Sequence, residues 1–369
     1  MPVYVIFLIK RGLNYKGVAL VDGFYMVSSA LLDYPTGGLA DKYGRGFITA
    51  LGSLFLGLGL LSYGFSTTLC QFLFSEFLAA IGSALYSGAF IAWLVDSLKK
   101  EGRSQDLPII LSNTRILSQF ISSLGAFIGG ILAEYSLELP FILGAFISFS
   151  AFALTLFYAY DINKTYRVRE IKYIDFLRKG LTILFKHKQL LLLTMGSSLI
   201  SFSIPSFTLT WAPYMEYLGA NKWLIGLASA IFMIVMGIGS YAGGRMAKWM
   251  GYRKTIMSSI MLISISFSLL ILARDPYMFI LISIFLEIGF GIMGPVLSAW
   301  INKYIPSEER ATVVSLRRTL ILPFTMLGMM TMGILSDLGS PRLTYIFVSI
   351  AIVLALPIYL KIPNDEEVI

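Results

Sequence analysis

Long apolar segments alternate with short polar ones along the whole chain. A helix needs about 20 apolar residues to cross the hydrocarbon core of a bilayer, and these segments have that length. Each segment is continuously apolar, and a lipid-exposed backbone must satisfy its own hydrogen bonds, so the pattern predicts membrane-spanning helices. The eleven predicted spans are 18–39, 47–66, 69–97, 109–133, 139–159, 189–214, 222–244, 255–273, 277–302, 311–335 and 343–361.

The composition excludes most other classes of protein. Hydrophobic residues make up 57% of the chain and charged residues 14%, whereas soluble domains carry about 25% charged residues. The single cysteine, Cys70, excludes an intrachain disulfide, and with one histidine, His187, it excludes the usual zinc sites. The chain has neither a Gly-rich phosphate loop nor a G-x-S-x-G serine. We therefore predict no enzyme activity, no catalytic residue, no metal and no cofactor.

Basic residues fix the expected orientation. Of the 29 Lys and Arg residues, 22 fall on one side of the predicted membrane and only six on the other. Loops rich in Lys and Arg stay in the cytoplasm, so the central loop and the C-terminus are expected there. These residues form short clusters between spans rather than a nucleic-acid patch, and the expected partner is the lipid bilayer.

One long loop, 161–188, divides the chain into helical bundles at 1–160 and 189–369. It is basic, and its Ile and Leu residues recur at helical spacing, which predicts an interfacial helix on the anionic inner leaflet. A solvated linker is the alternative that the same composition allows.

The two bundles repeat each other at a nearly constant offset. The segment 37–44 aligns with 244–251, Gly82 with Gly289 and Trp93 with Trp300, each 207 residues apart. Duplicated halves are typical of transporter folds. The same offset places most of the counterpart of span 189–214 before Met1, so the first helix is expected to be largely missing and Pro2–Ile9 to be its end. We expect a truncation or a misassigned start codon.

Gly37-Gly38-Leu39-Ala40-Asp41-Lys42-Tyr43-Gly44-Arg45 resembles the loop signature of the major facilitator superfamily, G-x-L-A-D-[RK]-x-G-R. Two other segments are similar to members labelled drug or multidrug transporters. They are Asp33-Tyr34-Pro35-Thr36, directly before this loop, and Ile305–Thr312 in the second half. The resemblance covers essentially the whole chain and implies an all-α integral membrane protein of two six-helix bundles, the twelve-helix fold of this family.

The resemblance also implies a set of functional residues. In the family this loop forms a cytoplasmic gate, which here comprises Gly37, Gly38, Asp41, Gly44, Arg45 and Asp96. A carboxylate facing Arg45 can bind its guanidinium, and Asp96 is the nearest candidate. The family arrangement further implies a pair between the halves, Asp33 with Arg318. The antiporter motifs are incomplete, since Leu78 and Ala126 replace the expected arginine and proline.

Ionisable residues inside spans are expensive and usually functional. Glu287 is the deepest acid and Glu76 the next, and we take both as candidates for proton coupling or substrate contact, with a structural helix contact as the alternative. Arg115 either binds substrate or pairs with Asp33 or Asp96. Asp22, Asp96 and Arg317 lie near span ends, where snorkelling explains them.

Breaks in predicted helices mark a further candidate region. Pro205 predicts a kinked or broken helix in mid-membrane, which in transporters commonly carries the binding site. Trp211, on the same span, is a candidate substrate contact.

These features together predict a monomeric secondary transporter of the cell membrane. It would move a small organic or lipophilic solute by alternating access, with protons as the coupling ion, in the manner of an efflux antiporter. A sugar or metabolite importer, a facilitator and a non-transporting sensor are the alternatives.

Overall fold

A computed structural model describes residues 1–159, 181–182, 184–305 and 310–363 of the 369-residue chain. Throughout these residues the secondary structure is helical, with no strand. The predicted interfacial helix at 161–188 lies mostly outside the described residues. Its last part, at 181–182 and 184–186, is helical and leads into the next helix at Lys188.

The first half of the chain forms six helices. They are α1 (Tyr4–Lys10), α2 (Tyr15–Tyr43), α3 (Arg45–Phe65), α4 (Leu69–Lys100), α5 (Leu107–Tyr135) and α6 (Leu139–Ala159). The chain divides into two units, and the first contains α1, most of α2 and α3 to α6.

The described part of the second half forms seven helices. They are α7 (Lys188–Ser203), α8 (Pro205–Tyr217), α9 (Lys222–Leu270), α10 (Pro276–Lys303), α11 (Arg310–Leu338), α12 (Pro341–Ala351) and α13 (Leu356–Leu360). A 3-10 turn, Ile352–Ala355, joins the last two into one rod. The second unit contains these helices and Asn14–Ala19 at the start of α2.

The helices confirm the predicted membrane fold. Among the described residues, nine helical stretches are long and apolar enough to cross a bilayer. One of them, α9, holds two predicted spans, because it continues through 245–250 and breaks only at Gly251. The predicted span 18–39 lies in α2, which is one continuous helix. Asp22 and Asp33 interrupt its apolar sequence, and α2 is not among the nine stretches.

The backbone repeats with the same offset of 207 residues as the sequence. Gly12 follows α1 and Gly219 follows α8, and both have positive φ, 95° and 96°. Gly44 and Gly251, with φ of 97° and 81°, each end one helix and begin the next. Only glycine adopts such angles without strain, so these positions fix where each half turns.

The repeat extends to helix caps. Thr68 caps α4, accepting a hydrogen bond from the Gln71 N–H while the Gln71 side chain accepts from the Thr68 N–H, which forms a capping box. Asp275 occupies the corresponding position in the second half, and its carboxylate accepts from the N–H groups of Tyr277 and Met278, both at 2.9 Å. Each cap satisfies amide groups that a helix start would otherwise leave without a partner.

Close helix contact is also repeated, and it depends on glycine. A Cβ atom added at Gly82 of α4 would lie 2.6 Å from the Leu56 nitrogen of α3, and one added at Gly289 would lie 2.6 Å from the Ile263 side chain. Leu56 and Ile263 are themselves 207 residues apart. Because lipid is as apolar as a leucine side chain, such close packing is what holds membrane helices together.

Gly82→Ala should therefore destabilise the first unit by about 1–3 kcal/mol, the usual range for overpacking, because the atoms it would strike include backbone atoms of α3. Gly88→Ala on the same helix is the matched control, since no atom lies within 4 Å of its added Cβ. Thermal unfolding of both purified variants in detergent measures the difference. Equal melting temperatures would show that the close approach at Gly82 does not stabilise the fold.

Candidate functional site

The predicted gate residues lie where α2, α3 and α4 meet. Gly44 is the one-residue break between α2 and α3, and Arg45 is the first residue of α3. The Arg45 guanidinium donates to the Asp96 carboxylate of α4 at 2.6 Å and to the Ala92 carbonyl at 3.3 Å. Gly37, Gly38 and Asp41 lie in α2, and their surroundings fall outside the described set.

The second unit carries different residues at the positions of this ion pair. Arg45 and Asp96 correspond to Tyr252 and Lys303 at the offset of 207. The Tyr252 ring stacks on Trp300, with centroids 6.4 Å apart and planes at 12°. The same turn is therefore packed by an aromatic stack in one half and by an ion pair in the other.

Three other candidate residues, Asp33, Arg115 and Arg318, have side chains that are exposed on the surface. Asp33 of α2 accepts a hydrogen bond from Ser87 of α4 at 3.2 Å. Arg115 lies on the exposed face of α5, and no described contact joins it to Asp33 or to Asp96, which binds Arg45 instead. Arg318 is exposed on α11, and its pairing with Asp33 stays a prediction.

Four side chains from four helices form a polar group inside the first unit, which we call the carboxylate cluster: Tyr4 (α1), Asp22 (α2), Tyr63 (α3) and Glu76 (α4). The Tyr4 hydroxyl lies 2.5 Å from the Asp22 carboxylate and 3.1 Å from the Glu76 carboxylate. The Tyr63 hydroxyl lies 2.9 Å from that of Tyr4. Glu76 is buried, with 8% of its surface exposed, so this is a desolvated site with two acids.

Aromatic rings enclose the carboxylate cluster on one side. Phe7, Phe72 and Phe141, all fully buried, pack around Tyr63, and the Tyr63 and Phe141 rings stack with centroids 5.2 Å apart. The rings keep water from that side of the carboxylates, which strengthens the hydrogen bonds within the cluster.

Asp22 is where the sequence interpretation was wrong. Its position near the end of the predicted span 18–39 suggested a side chain that snorkels to the membrane surface. It is instead half-buried and hydrogen-bonded to Tyr4 inside the bundle. An acid that finds a buried phenol as donor has no need to reach water. The sequence holds a signal for this, since Asp22 and Glu76 both lie eight residues into their helices.

The predicted break in the seventh span lies at Ile204, between α7 and α8. Pro205 is the first residue of α8 and has no N–H to continue the preceding helix. Trp211 is half-buried one to two turns later and packs against Phe207 and Phe232, with centroid distances of 6.2 and 5.5 Å. These rings belong to an aromatic cluster inside the second unit.

Glu287 is half-buried in the middle of α10. In the part of the chain that the structure describes, no hydrogen bond or ion pair joins its carboxylate to another side chain. An ionised carboxylate in this position lacks the partners that would offset its desolvation, which favours the protonated form.

Arg317 is also not where the sequence interpretation placed it. Only 7% of its surface is exposed, and its guanidinium donates to the hydroxyls of Thr194 at 2.8 Å and Ser197 at 3.0 Å. No carboxylate of the described residues pairs with it. The snorkelling interpretation fails because the hydroxyls of Thr194 and Ser197 in α7 accept the hydrogen bonds of the buried guanidinium.

Comparison with known proteins places the chain in a family. The sequence profile of the Major Facilitator Superfamily matches residues 1–213 and 191–368, which together cover nearly the whole chain. The chain belongs to the Major Facilitator Superfamily. Its two halves each match the profile, in agreement with the repeat of turns, caps and glycine contacts.

Individual members of the superfamily match over most of their length. The MFS-type transporter MJ1560 of Methanocaldococcus jannaschii is 24% identical over 98% of this chain and 93% of its own length. Multidrug resistance protein 1 of Bacillus subtilis is 22% identical over 84% of this chain and 78% of its own. The crystal structure of the nucleoside transporter NupG superposes with a TM-score of 0.78 at 14% identity, covering 97% and 93% of the two chains, which shows a shared fold.

The protein is therefore a multi-pass membrane transporter of the Major Facilitator Superfamily. The family assignment agrees with the predicted fold and with a lipid bilayer and a small molecule as partners.

Replacing Arg317 tests whether a buried guanidinium that has no carboxylate partner among the described residues stabilises the fold. Arg317→Met should leave the melting temperature unchanged or raise it, because it removes a desolvated cation and fills similar volume. The two hydroxyls stay satisfied, since Thr194 donates to the Leu190 carbonyl at 2.7 Å and Ser197 to that of Leu193 at 2.6 Å.

The matched variant is Thr194→Val, which keeps the cation and removes one acceptor. It should destabilise the protein by about 1–3 kcal/mol, the usual cost of an unsatisfied buried donor. Thermal unfolding in detergent measures both changes. If Arg317→Met proves more destabilising than Thr194→Val, the guanidinium contributes to stability through a partner that the described residues do not include.

Proposed function

We propose that the protein is a proton-coupled secondary transporter that exports a small organic or lipophilic solute by alternating access. Membership of the superfamily supports transport, and similarity to Multidrug resistance protein 1 supports export of such a solute. The single observation that carries the coupling is the presence of two carboxylates shielded from solvent, the buried Glu76 and the half-buried Glu287, in helices that cross the membrane. Such groups are rare in membranes unless they bind ions or substrate.

Glu287 fits a site that takes up and releases a proton. A carboxylate without a partner is stable in the membrane when protonated and becomes unstable there when ionised. A transporter that prefers one conformation with the proton and another without it converts a proton gradient into movement of the solute. Pro205 and Trp211 supply a helix break and an aromatic surface in the same unit, which fits a binding site for an apolar solute.

The proposed orientation follows from loop charge. The basic loops, the central loop and the C-terminus lie in the cytoplasm, and the protein acts as a monomer in the cell membrane. Arg45 and Asp96, with Asp41 and the glycines of the same loop, then act at the cytoplasmic end of the first unit as a gate. Asp33 and Arg318 complete the gate in this proposal.

Proteoliposomes that carry the purified protein test the proposed function. A pH-sensitive dye inside the vesicles reports proton movement while ethidium, a nucleoside and a sugar are supplied in turn. We expect proton movement with the lipophilic cation ethidium. Movement of the nucleoside or the sugar without a pH change would instead indicate a facilitator, and no movement of any solute would favour a sensor.

Glu287→Gln should reduce proton-driven accumulation of ethidium at least tenfold at a pH difference of about one unit, since each proton moved across such a difference contributes a factor of about 10. Exchange of ethidium between two equal pools should survive, because binding and conformational change do not require the proton to leave. The measurement is ethidium uptake with and without a gradient in the same vesicles. Unchanged accumulation would remove Glu287 from the mechanism.

Asp96→Asn should open the cytoplasmic side of the transporter, because it leaves Arg45 without its 2.6 Å partner. A cysteine placed at the exposed Ser315, after replacement of Cys70, should then react several-fold faster with a membrane-impermeant maleimide, since about 1.4 kcal/mol shifts a two-state balance tenfold. The swapped variant Arg45→Asp with Asp96→Arg is the control and should restore slow labelling. Equal labelling in all three proteins would show that the pair fixes only the loop.

A further inference from the structure

We propose that Asp22 and Glu76 share one exchangeable proton through the Tyr4 hydroxyl, which gives the first unit a proton-binding site separate from Glu287. Only the role of this proton in transport rests on the proposed function. The site itself rests on the geometry of the carboxylate cluster.

Counting hydrogen atoms in the cluster shows that Tyr4 cannot donate a full hydrogen bond to each of two ionised acids. Tyr4 has one hydroxyl proton, yet its oxygen lies within hydrogen-bond distance of both carboxylates, 2.5 Å from Asp22 and 3.1 Å from Glu76. If Tyr4 donates to Asp22, the contact with Glu76 needs a proton from Glu76. A protonated Glu76 supplies it, since a carboxylic acid donates one hydrogen bond and a phenol oxygen accepts two.

The remaining group follows the same direction of donation. Tyr63 donates to the Tyr4 oxygen at 2.9 Å, and with Glu76 as second donor that oxygen accepts two hydrogen bonds and donates one to Asp22. Every oxygen contact of Tyr4 is then satisfied by a single proton beyond the two phenolic ones. Charge repulsion leads to the same number of protons. Two carboxylates that share a buried site retain one proton, because two negative charges at short range repel each other.

Among the described residues, no side-chain cation offsets the two acids. The groups that face the cluster are Tyr4, Tyr63 and the rings of Phe7 and Phe72, with the Met1 amino group as the positive group near Asp22. Arg11, at the end of α1, forms an ion pair with Glu138 rather than with the cluster. Apart from the Met1 amino group, a bound proton is the positive charge that can offset the two acids.

The second unit supplies an internal comparison. The positions that correspond to Asp22 and Glu76 at the offset of 207 are Ser229 and Ser283, both buried. The second unit therefore builds the same turns, caps and glycine contacts without acids at these places. The packing does not require Asp22 and Glu76, so their desolvation is a cost that the fold alone does not explain.

The cluster lies nearer to one end of the first unit than to the other. Asp22 and Glu76 are each seven residues from the first residue of their helix, which is about 10 Å along the axis at about 1.5 Å per residue. These helices start at Tyr15 and Leu69, at the end of the unit opposite to the Arg45–Asp96 pair. The cluster therefore lies nearer to that end. Under the proposed orientation this end faces the outside of the cell. The cluster would then exchange its proton with water on the outer side.

Infrared difference spectroscopy of the purified protein in lipid tests the site without any substrate. The measurement uses the Glu287→Gln background, so that Glu287 does not contribute a signal. We expect a protonated-carboxyl band that titrates with pH and shifts in heavy water. Glu76→Gln should abolish the band, and Asp22→Asn should keep it but move its midpoint to lower pH, because the neighbouring negative charge is gone. Tyr4→Phe should move the midpoint to higher pH, because the ionised form loses a donor.

Tyr345→Phe is the matched control. It also removes one buried phenol from an aromatic cluster, where Tyr345 contacts Thr210 at 3.0 Å with no carboxylate. Its band should equal that of the parent. A band unchanged by Glu76→Gln, or a midpoint unaffected by Asp22→Asn, would overturn the shared proton.

A second measurement separates this inference from the proposed function. The double variant Asp22→Ser with Glu76→Ser copies the residues of the second unit at these positions, and its thermal unfolding in detergent verifies that it folds. If the cluster carries a coupling proton, the highest accumulation of ethidium at about one pH unit should fall about tenfold in this variant, with Glu287 intact. Full accumulation in the double variant would overturn the coupling role of the cluster. A parent without proton-driven transport would overturn the proposed function, and the infrared titration would still decide the site.

Discussion

The bilayer interior offers no hydrogen bonds, and the rest of this structure depends on that constraint. Every buried polar group must find its partner within the protein. Backbone groups do so within helices, and serine and threonine hydroxyls donate to carbonyls four residues back, as Ser197 does to Leu193. Charged groups have no such local solution. The few that are buried therefore show which parts of the chain are not explained by folding alone.

The two halves of the transporter meet this constraint with the same backbone and different side chains. Turns at Gly44 and Gly251, helix caps at Thr68 and Asp275, and close contacts at Gly82 and Gly289 recur with a constant offset. Residues that appear in both halves are thus required by the geometry of the repeat. Residues that appear in one half only, such as an acid opposite a serine, are free of that requirement and are better candidates for function.

The fold was largely predictable from sequence, because span length and continuous hydrophobicity are properties of one segment at a time. The site was less so. Glu76 and Glu287 were identified by depth, and the pairing of Arg45 with Asp96 was anticipated from charge and family resemblance. Asp22 and Arg317 were misread as snorkelling, because the alternative depends on neutral partners, Tyr4 and Thr194, that belong to other helices. Charge can be read along a chain, whereas a hydroxyl partner is visible only in three dimensions.

Two hydrogen-bonded groups, one in each unit, hold buried charges of opposite sign. In the first unit, two carboxylates surround phenol donors, so that the site gains from binding a proton. In the second, the Arg317 guanidinium lies among hydroxyl acceptors and cannot release its charge, because arginine stays protonated in proteins. Of these two groups, only the acidic one can alternate between neutral and charged forms at accessible pH. The carboxylates can therefore take part in a conformational cycle driven by protons, whereas Arg317 presents the same charge in every state and can only favour one arrangement of its helices over another.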